Sequence, residues 1–269
     1  MRVAIGNHKG GSGKTATVVG LAAALAETDH RVLVVDLDPQ ANASRRLGVR
    51  VDAANPVPTV SEAIRESHAG EAGGAAVEAI LTPAWPEPYA EKIGLIPSRF
   101  DLENRISEAA TMGAVGRLRR ALAGVDDDYD VTLIDCPPSL GHLTQLALAA
   151  ADVAVAVLEP EFDSVEGAVR LRDFVEAAAA ELGNPRLRLA GVVVGRVRAN
   201  LGAHAFQIDG LPELFGSELV WSPTIPERAV IKDAADAAVP VATLGGVPAA
   251  GLAEVYRDLA ARLLKEVDR

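Results

Sequence analysis

The chain has 269 residues, of which 49% are hydrophobic and 23% charged, so it can bury a large core without a disulfide or a metal. Its formal charge is −11, from 37 acidic and 26 basic residues, which excludes a protein that coats nucleic acid or an anionic membrane through its overall charge. The single Cys136 excludes an intramolecular disulfide. The first residues contain no apolar segment typical of a secretory signal, and no uncharged run is long enough for a transmembrane helix, so we expect a cytoplasmic protein.

Short apolar runs alternate with longer helical patterns along the chain, which is typical of a parallel sheet with crossover helices. Strands are predicted at residues 3–5, 31–35, 93–97, 131–134, 153–158 and 189–194. Helices are predicted at 14–27, 139–150, 165–181 and 252–267, with shorter ones around 60–67 and 74–81. Asp163, three residues before Glu166, resembles a capping box at the start of the third long helix. We therefore predict one α/β P-loop domain over residues 1–269, with a mostly parallel twisted sheet and helices on both faces.

A glycine-rich segment, GNHKGGSGKT at residues 6–15, lies between the first predicted strand and the first predicted helix. Its glycines let backbone N–H groups approach phosphate oxygens at the positive end of the helix dipole. Lys14 is expected to reach the β- and γ-phosphates, and the Thr15 hydroxyl to bind Mg²⁺. His8 stands where the general P-loop pattern has glycine, and Lys9 adds a second lysine. The nucleotide-binding residues predicted here are Lys9, Gly10, Gly11, Ser12, Gly13, Lys14, Thr15 and Ala16.

Acidic residues follow two of the predicted strands. Asp36 and Asp38 follow the second strand, and Asp135 follows the fourth, where parallel strands of α/β sheets face the ligand crevice. Asp135 fits a Walker-B residue that holds Mg²⁺, Asp38 is a candidate for orienting the attacking water, and Asp36 for holding the loop or the metal. Any single strand-end aspartate could instead be a helix N-cap. Cys136 is interpreted as a small buried residue.

Three motifs, at residues 7–15, 36–44 and 133–141, resemble those of the ParA/MinD family of deviant Walker ATPases, and of the ParA partition ATPases in particular. Segments 160–167 and 225–228 resemble later parts of the family, so the likeness covers nearly the whole chain. The resemblance implies a Mg²⁺-dependent ATPase that forms a homodimer on binding ATP and then binds DNA without sequence preference. It also implies a ParB-type centromere-binding partner that stimulates hydrolysis, and a role on the nucleoid in plasmid or chromosome partition.

The resemblance assigns roles to individual residues. Lys9 matches the family's signature lysine, which reaches the phosphates bound by the other subunit, while Lys14 acts in its own subunit. Asp38 matches the water-positioning acid and Asp135 the Walker-B acid. Pro226 matches a segment near the adenine. Because the chain starts at the first strand, we expect the short type of partition ATPase, without an N-terminal helix-turn-helix.

The DNA-binding residues are less well defined, since Glu227 falls where relatives often carry arginine. The candidates are Arg196, Arg198, Arg228 and Lys232, each of which could instead be a solvated charge or a residue beside the adenine.

The alternative interpretation is a MinD-like regulator of cell division or of a protein assembly, which would need a basic amphipathic tail on anionic lipid. Acids and bases balance in the predicted helix at 252–267, so we expect that helix to pack on the core, without stable membrane association. An ATP-dependent synthetase or an arsenite pump ATPase remains open on the P-loop alone.

Overall fold

A computed structural model describes residues 1–52, 56–68 and 73–267 of the chain. The strands are β1 (Arg2–Gly6), β2 (Val32–Asp36), β3 (Ile93–Ile96), β4 (Val131–Asp135), β5 (Val153–Leu158) and β6 (Arg188–Val194). They form one parallel sheet in the order β3-β2-β4-β1-β5-β6. All six predicted strands are therefore confirmed to within one residue at each end.

The helices that connect the strands cover both faces of the sheet. They are α1 (Lys14–Glu27), α2 (Asn42–Arg46), α3 (Val60–Glu66), α4 (Tyr89–Lys92), α5 (Arg117–Ala121), α6 (His142–Ala150), α7 (Phe162–Ala178), α8 (Gly202–Phe215), α9 (Ala229–Ala237) and α10 (Gly246–Val267). Short 3₁₀ helices lie at Ala75–Ala79, Phe100–Ala110, Ala114–Gly116 and Val241–Leu244. The prediction for α1 is exact, whereas α8 and α9 were not predicted.

The predicted capping box at Asp163 and Glu166 is wrong. Because α7 begins at Phe162, Asp163 lies inside the first turn, and Glu161 occupies the N-cap position without a capping bond from its side chain. The two carboxylates at residues 161 and 163 instead lie near Lys9, with distances of 3.3 and 3.8 Å to its Nζ. The start of α7 therefore contributes acidic groups to the neighbourhood of the phosphate loop.

The sheet separates two apolar clusters, as expected for strands buried on both faces. Along β2, Leu33 and Val35 pack into the cluster beneath α3, α5, α6 and α7, whereas Val34 packs into the cluster beneath α1 and α10. Leu259 and Leu263 of α10 are fully buried in the second cluster, so the expected packing of this helix on the core is confirmed. In the part of the chain that the structure describes, no helix has both the length and the apolar character needed to cross a membrane.

Candidate functional site

The loop between β1 and α1 has the geometry of a phosphate cradle. Gly11 and Gly13 adopt left-handed φ angles of +78° and +93°, a conformation that residues with a Cβ rarely adopt. No described side chain caps α1, so the N–H groups of its first turn remain available to an anion. Lys14 is buried, and its Nζ donates a hydrogen bond to the carbonyl oxygen of Lys9 at 3.0 Å. The loop therefore closes around its own lysine side chain.

The two lysines of the loop have different surroundings. Burial lowers the pKa of Lys14, and the charge of Asp135 partly offsets that effect. Lys9 is about one-third exposed and pairs with Glu161 and, more distantly, with Asp163. Lys14 is thus held inside the loop, while Lys9 lies at its surface beside acidic groups.

Asp36 anchors the turn between β2 and α2. Its Oδ2 accepts hydrogen bonds from the backbone N–H of Ser44 at 2.8 Å and from the Ser44 hydroxyl at 2.7 Å, and its Oδ1 accepts the N–H of Asp38 at 3.2 Å. Burial raises the pKa of Asp36, and the bonds from Ser44 oppose that rise. The structure gives Asp36 a holding role, and its predicted part in binding Mg²⁺ stays a prediction.

Asp135 is as fully buried as Asp36, but its carboxylate lacks hydrogen-bond partners among the described residues. Its carboxylate is fully inaccessible, and neither oxygen makes a well-formed hydrogen bond with a described residue. Burial and the neighbouring Asp36 raise the pKa of Asp135, although the Thr15 hydroxyl and Lys14 are close enough to lower it. A buried carboxylate without a partner is costly, and a carboxylate beside a hydroxyl is an oxygen donor set that suits Mg²⁺. Asp135 and Thr15 therefore fit a magnesium site.

A cavity of about 450 Å³ opens above these residues, which is within the range of small-molecule sites. Residues Gly10 to Thr17 of the loop and of α1 line one side of it, together with Asp38. Its other walls include Arg46, Ile225, Glu227, Arg228, Ile231, Lys232 and Tyr256. Ala16 is thus where it was predicted, whereas Pro226 does not line the cavity and only its two neighbours do.

Arg196, predicted as a DNA contact, joins the phosphate loop to the strand-end segments. It adopts a left-handed φ of +55° and donates from one guanidinium nitrogen to the Gly11 carbonyl at 2.9 Å and to Glu159 at 3.0 Å. Its other terminal nitrogen donates to Glu227 at 3.2 Å. With two carboxylates and a carbonyl as partners, Arg196 is held at the wall of the cavity, and its role in DNA binding stays a prediction.

The other three basic candidates divide into paired and unpaired groups. Arg198 forms an ion pair with Glu227, and its hydrogen bond is the main reason why the pKa of Glu227 falls to about 2. Arg228 and Lys232 are exposed at the cavity and make no ion pair with the described residues. Their role in DNA binding stays a prediction.

Sequence reasoning missed Arg46 and Tyr256. Arg46 is the last residue of α2, and Tyr256 of α10 is buried against Gly20, where a Cβ would lie 2.4 Å from the tyrosine ring. Both reach the cavity only through the packing of helices that are distant in sequence, so no local pattern could have indicated them. The buried state predicted for Cys136 is confirmed.

Comparisons with known proteins agree with this geometry. A family model described as an AAA domain matches residues 1–189. The chain is 36% identical to the chromosome-partitioning ATPase Soj of Thermus thermophilus, over 99% of this chain and 96% of that protein. It is 34% identical to the sporulation initiation inhibitor protein Soj of Bacillus subtilis, over 96% of both.

Solved structures extend the comparison to bound ligands. A cobyrinic acid a,c-diamide synthase from Mycobacterium smegmatis with bound ADP and magnesium is 28% identical, with a TM-score of 0.77 over 98% of this chain and 94% of that one. A McdA–ATP complex from Cyanothece has a TM-score of 0.83 over 97% of this chain and 95% of that one, and at 23% identity it supports the fold alone. The matches to both relatives cover nearly the whole sequence. The chain belongs to the ParA/MinD family of deviant Walker ATPases.

Proposed function

We propose that this protein binds ATP with Mg²⁺ in the cavity, dimerises, binds DNA without sequence preference and hydrolyses ATP to drive plasmid or chromosome partition. The observation that carries the proposal is the buried, unsatisfied carboxylate of Asp135 beside Thr15, beneath a glycine loop that presents backbone N–H groups. A bound cation would compensate that carboxylate in its ionised form, and a nucleoside triphosphate brings its cation with it. The relatives named Soj support the same assignment.

Each group at the cavity has a part in the proposed hydrolysis. When the nucleotide binds, the Nζ of Lys14 leaves the carbonyl oxygen of Lys9 and donates to the β- and γ-phosphates instead. The loop N–H groups bind the phosphate oxygens. Thr15 and Asp135 would hold the Mg²⁺, which would neutralise charge on the phosphates. Asp38 orients the attacking water and accepts its proton; one of its oxygens already accepts the Gln40 N–H at 2.9 Å, which fixes the side chain.

The dimer would bring Lys9 of one subunit to the phosphates of the other. Lys9 pairs with Glu161 at the surface, and such partly exposed ion pairs contribute only about 0–1 kcal/mol, so the lysine can leave at little cost. The ammonium group of Lys9 would be a second positive charge at the γ-phosphate, beside Lys14, and would stabilise the negative charge that develops during hydrolysis. Two subunits facing one another across their nucleotides therefore complete each other's site.

DNA binding is assigned to Arg228 and Lys232, because they are exposed and unpaired among the described residues. Because the net charge of −11 repels DNA from the rest of the surface, DNA binding should be confined to this local region and should depend strongly on salt. In this proposal a ParB-type partner accelerates hydrolysis and thereby releases the DNA.

An ATP-dependent synthetase is the second candidate, since the M. smegmatis structure that carries that name is 28% identical. A synthetase turns over ATP only with its acceptor substrate, whereas a partition ATPase hydrolyses ATP with DNA and a ParB-type protein alone. Steady-state hydrolysis with and without DNA separates the two functions.

The Asp38→Ala variant tests the proposal directly. It should form ATP-dependent dimers, detected by size-exclusion chromatography with light scattering, but hydrolyse no ATP. Locked in that state, it should shift duplex DNA at low salt with ATP and not with ADP. Asp128→Ala, at an exposed residue outside the cavity, is the matched control. Normal turnover in Asp38→Ala would refute the role of Asp38, and a locked dimer that leaves DNA unshifted would refute DNA binding.

A further inference from the structure

Arg46 is presented to the cavity by a rigid support. Its helix, α2, is tied to the end of β2 by the two hydrogen bonds from Ser44 to Asp36. The backbone carbonyl of Arg46 itself accepts a hydrogen bond from the Trp85 indole at 3.0 Å. Neither contact involves the Arg46 side chain, so the backbone is fixed independently of what the guanidinium binds.

The guanidinium of Arg46 is a cation without a partner. It makes no hydrogen bond and no ion pair with the residues that the structure describes, although it lines both the main cavity and a small, largely apolar cavity of about 40 Å³ behind it. Arg46 is half-buried, and burial lowers the pKa of its guanidinium; the charges of Asp135 and Asp236, neither of which is close enough for an ion pair, oppose that effect only in part. A desolvated cation is costly unless an anion compensates it, and a planar guanidinium suits phosphate oxygens well.

Arg46, at the end of α2, lies beside the first turns of α1, and this position indicates which phosphate it would contact. Arg46 shares the cavity wall with Ala16 and with Tyr256, whose ring packs on Gly20. Ala16 is two residues after Lys14, or about 3 Å further along the helix axis. The loop and Lys14 take the β- and γ-phosphates at the start of the helix, so the anion nearest to Arg46 is the remaining one.

We propose that Arg46 binds the α-phosphate of the nucleotide and thereby holds ATP and ADP equally. The proposal rests on the nucleotide site of the proposed function and adds to it a cation that no phosphate-binding motif contains. Because the α-phosphate is present before and after hydrolysis, this contact contributes to affinity without distinguishing substrate from product. Lys9 and Asp38, in contrast, act at the γ-phosphate and can distinguish them.

Arg46→Met tests the contact, since methionine keeps the apolar stem and removes the charge. Dissociation constants for ADP and for a nonhydrolysable ATP analogue, measured by isothermal titration calorimetry with Mg²⁺, should both rise about tenfold or more, by the same factor. Arg46→Lys, which keeps a charge but loses the planar fork, should show a smaller and again equal loss. Arg45→Met is the matched control, because Arg45 is exposed and its guanidinium bonds, among the described residues, to Asn42 alone.

Three results would overturn the inference. One is an unchanged affinity of Arg46→Met for both nucleotides, and another is a loss confined to the ATP analogue, which would place Arg46 at the γ-phosphate. If Arg46→Met fails to fold, as judged by thermal unfolding without nucleotide, the Lys variant decides, and an unchanged affinity there would overturn the proposal. The affinity of the wild type for nucleotide is a separate test. If the wild type binds neither nucleotide, the proposed function fails and this inference fails with it.

Discussion

Asp36 and Asp135 should respond in opposite directions to the same substitution, although both are fully buried and lie opposite one another in the register of β2 and β4. Asp36 accepts three hydrogen bonds, and an amide at this position cannot satisfy all three donors. Asp36→Asn should therefore destabilise the nucleotide-free protein. Asp135 has a buried charge that no described donor compensates fully, so Asp135→Asn should stabilise the nucleotide-free protein.

The expected size of each effect comes from burial. Leaving one buried donor unsatisfied costs about 1–3 kcal/mol, which is the loss expected for Asp36→Asn. Burial raises the pKa of Asp135 above the value of about 3.9 in the unfolded chain, so between these two pKa values the folded protein holds a proton that the unfolded chain has lost. Stability then falls as pH rises from about 4, by at most about 1.4 kcal/mol per pH unit. The increase in the free energy of unfolding that Asp135→Asn produces should grow with pH and reach about 1–3 kcal/mol at pH 8.

Urea unfolding followed by tryptophan fluorescence, in EDTA at pH 6 and pH 8, measures both variants against the wild type. A repeat with Mg²⁺ and a nonhydrolysable ATP analogue should raise the urea midpoint of the wild type much more than that of Asp135→Asn, which has lost the charge that the cation would neutralise. The reasoning is refuted if Asp135→Asn lowers the stability of the nucleotide-free protein at pH 8 as Asp36→Asn does. That result would mean that the carboxylate contributes to the fold itself.

Three other substitutions probe the surroundings of the site. Lys9→Ala should impair hydrolysis and weaken the ATP-dependent dimer, measured by phosphate release and light scattering, and unaltered values would argue against a role in the facing subunit. Glu227→Gln removes the charge that pairs with Arg196 and Arg198, so DNA binding in the ATP state should strengthen and fall more steeply with salt; an unchanged salt dependence would contradict this. Gly20→Ala forces a Cβ to within 2.4 Å of the Tyr256 ring and should cost about 1–3 kcal/mol in a thermal melt, whereas Gly251→Ala, with nothing within 4 Å, should not destabilise.

The sheet and the phosphate loop could be predicted because their information is local. Runs such as Val153–Leu158 are apolar at every position, which is how a strand buried on both faces appears in sequence. Asp38 and Asp135 stand at or just after the carboxyl ends of strands, and Lys14 and Thr15 begin the helix that follows the loop after β1, so the parallel arrangement brings all four to one edge.

The remaining elements carry weaker local patterns. α8 contains Pro212 and buries only His204, Leu211 and Phe215, so it has no regular apolar face. α9 does have one, with Val230 and Ile231 packed against the core, but its nine residues are too few for a clear helical pattern. Arg46 follows the second motif without belonging to its phosphate chemistry, and only the docking of α2 beside α1 brings it to the cavity. The error at Asp163 has the same origin, because the helix start is set by how α7 packs and not by the residues that resemble a cap.

The central place of β1 determines when the site can form during synthesis. Arg2 pairs with Thr132 and Val3 with Val153, so β1 precedes both of its partners by more than 120 residues and stays unpaired until they have been synthesised. Until then the phosphate loop has no sheet to hold it, and its strand is an unpaired apolar segment open to aggregation. A nascent chain should therefore acquire affinity for nucleotide late and in one step, once β5 has been added beside β1.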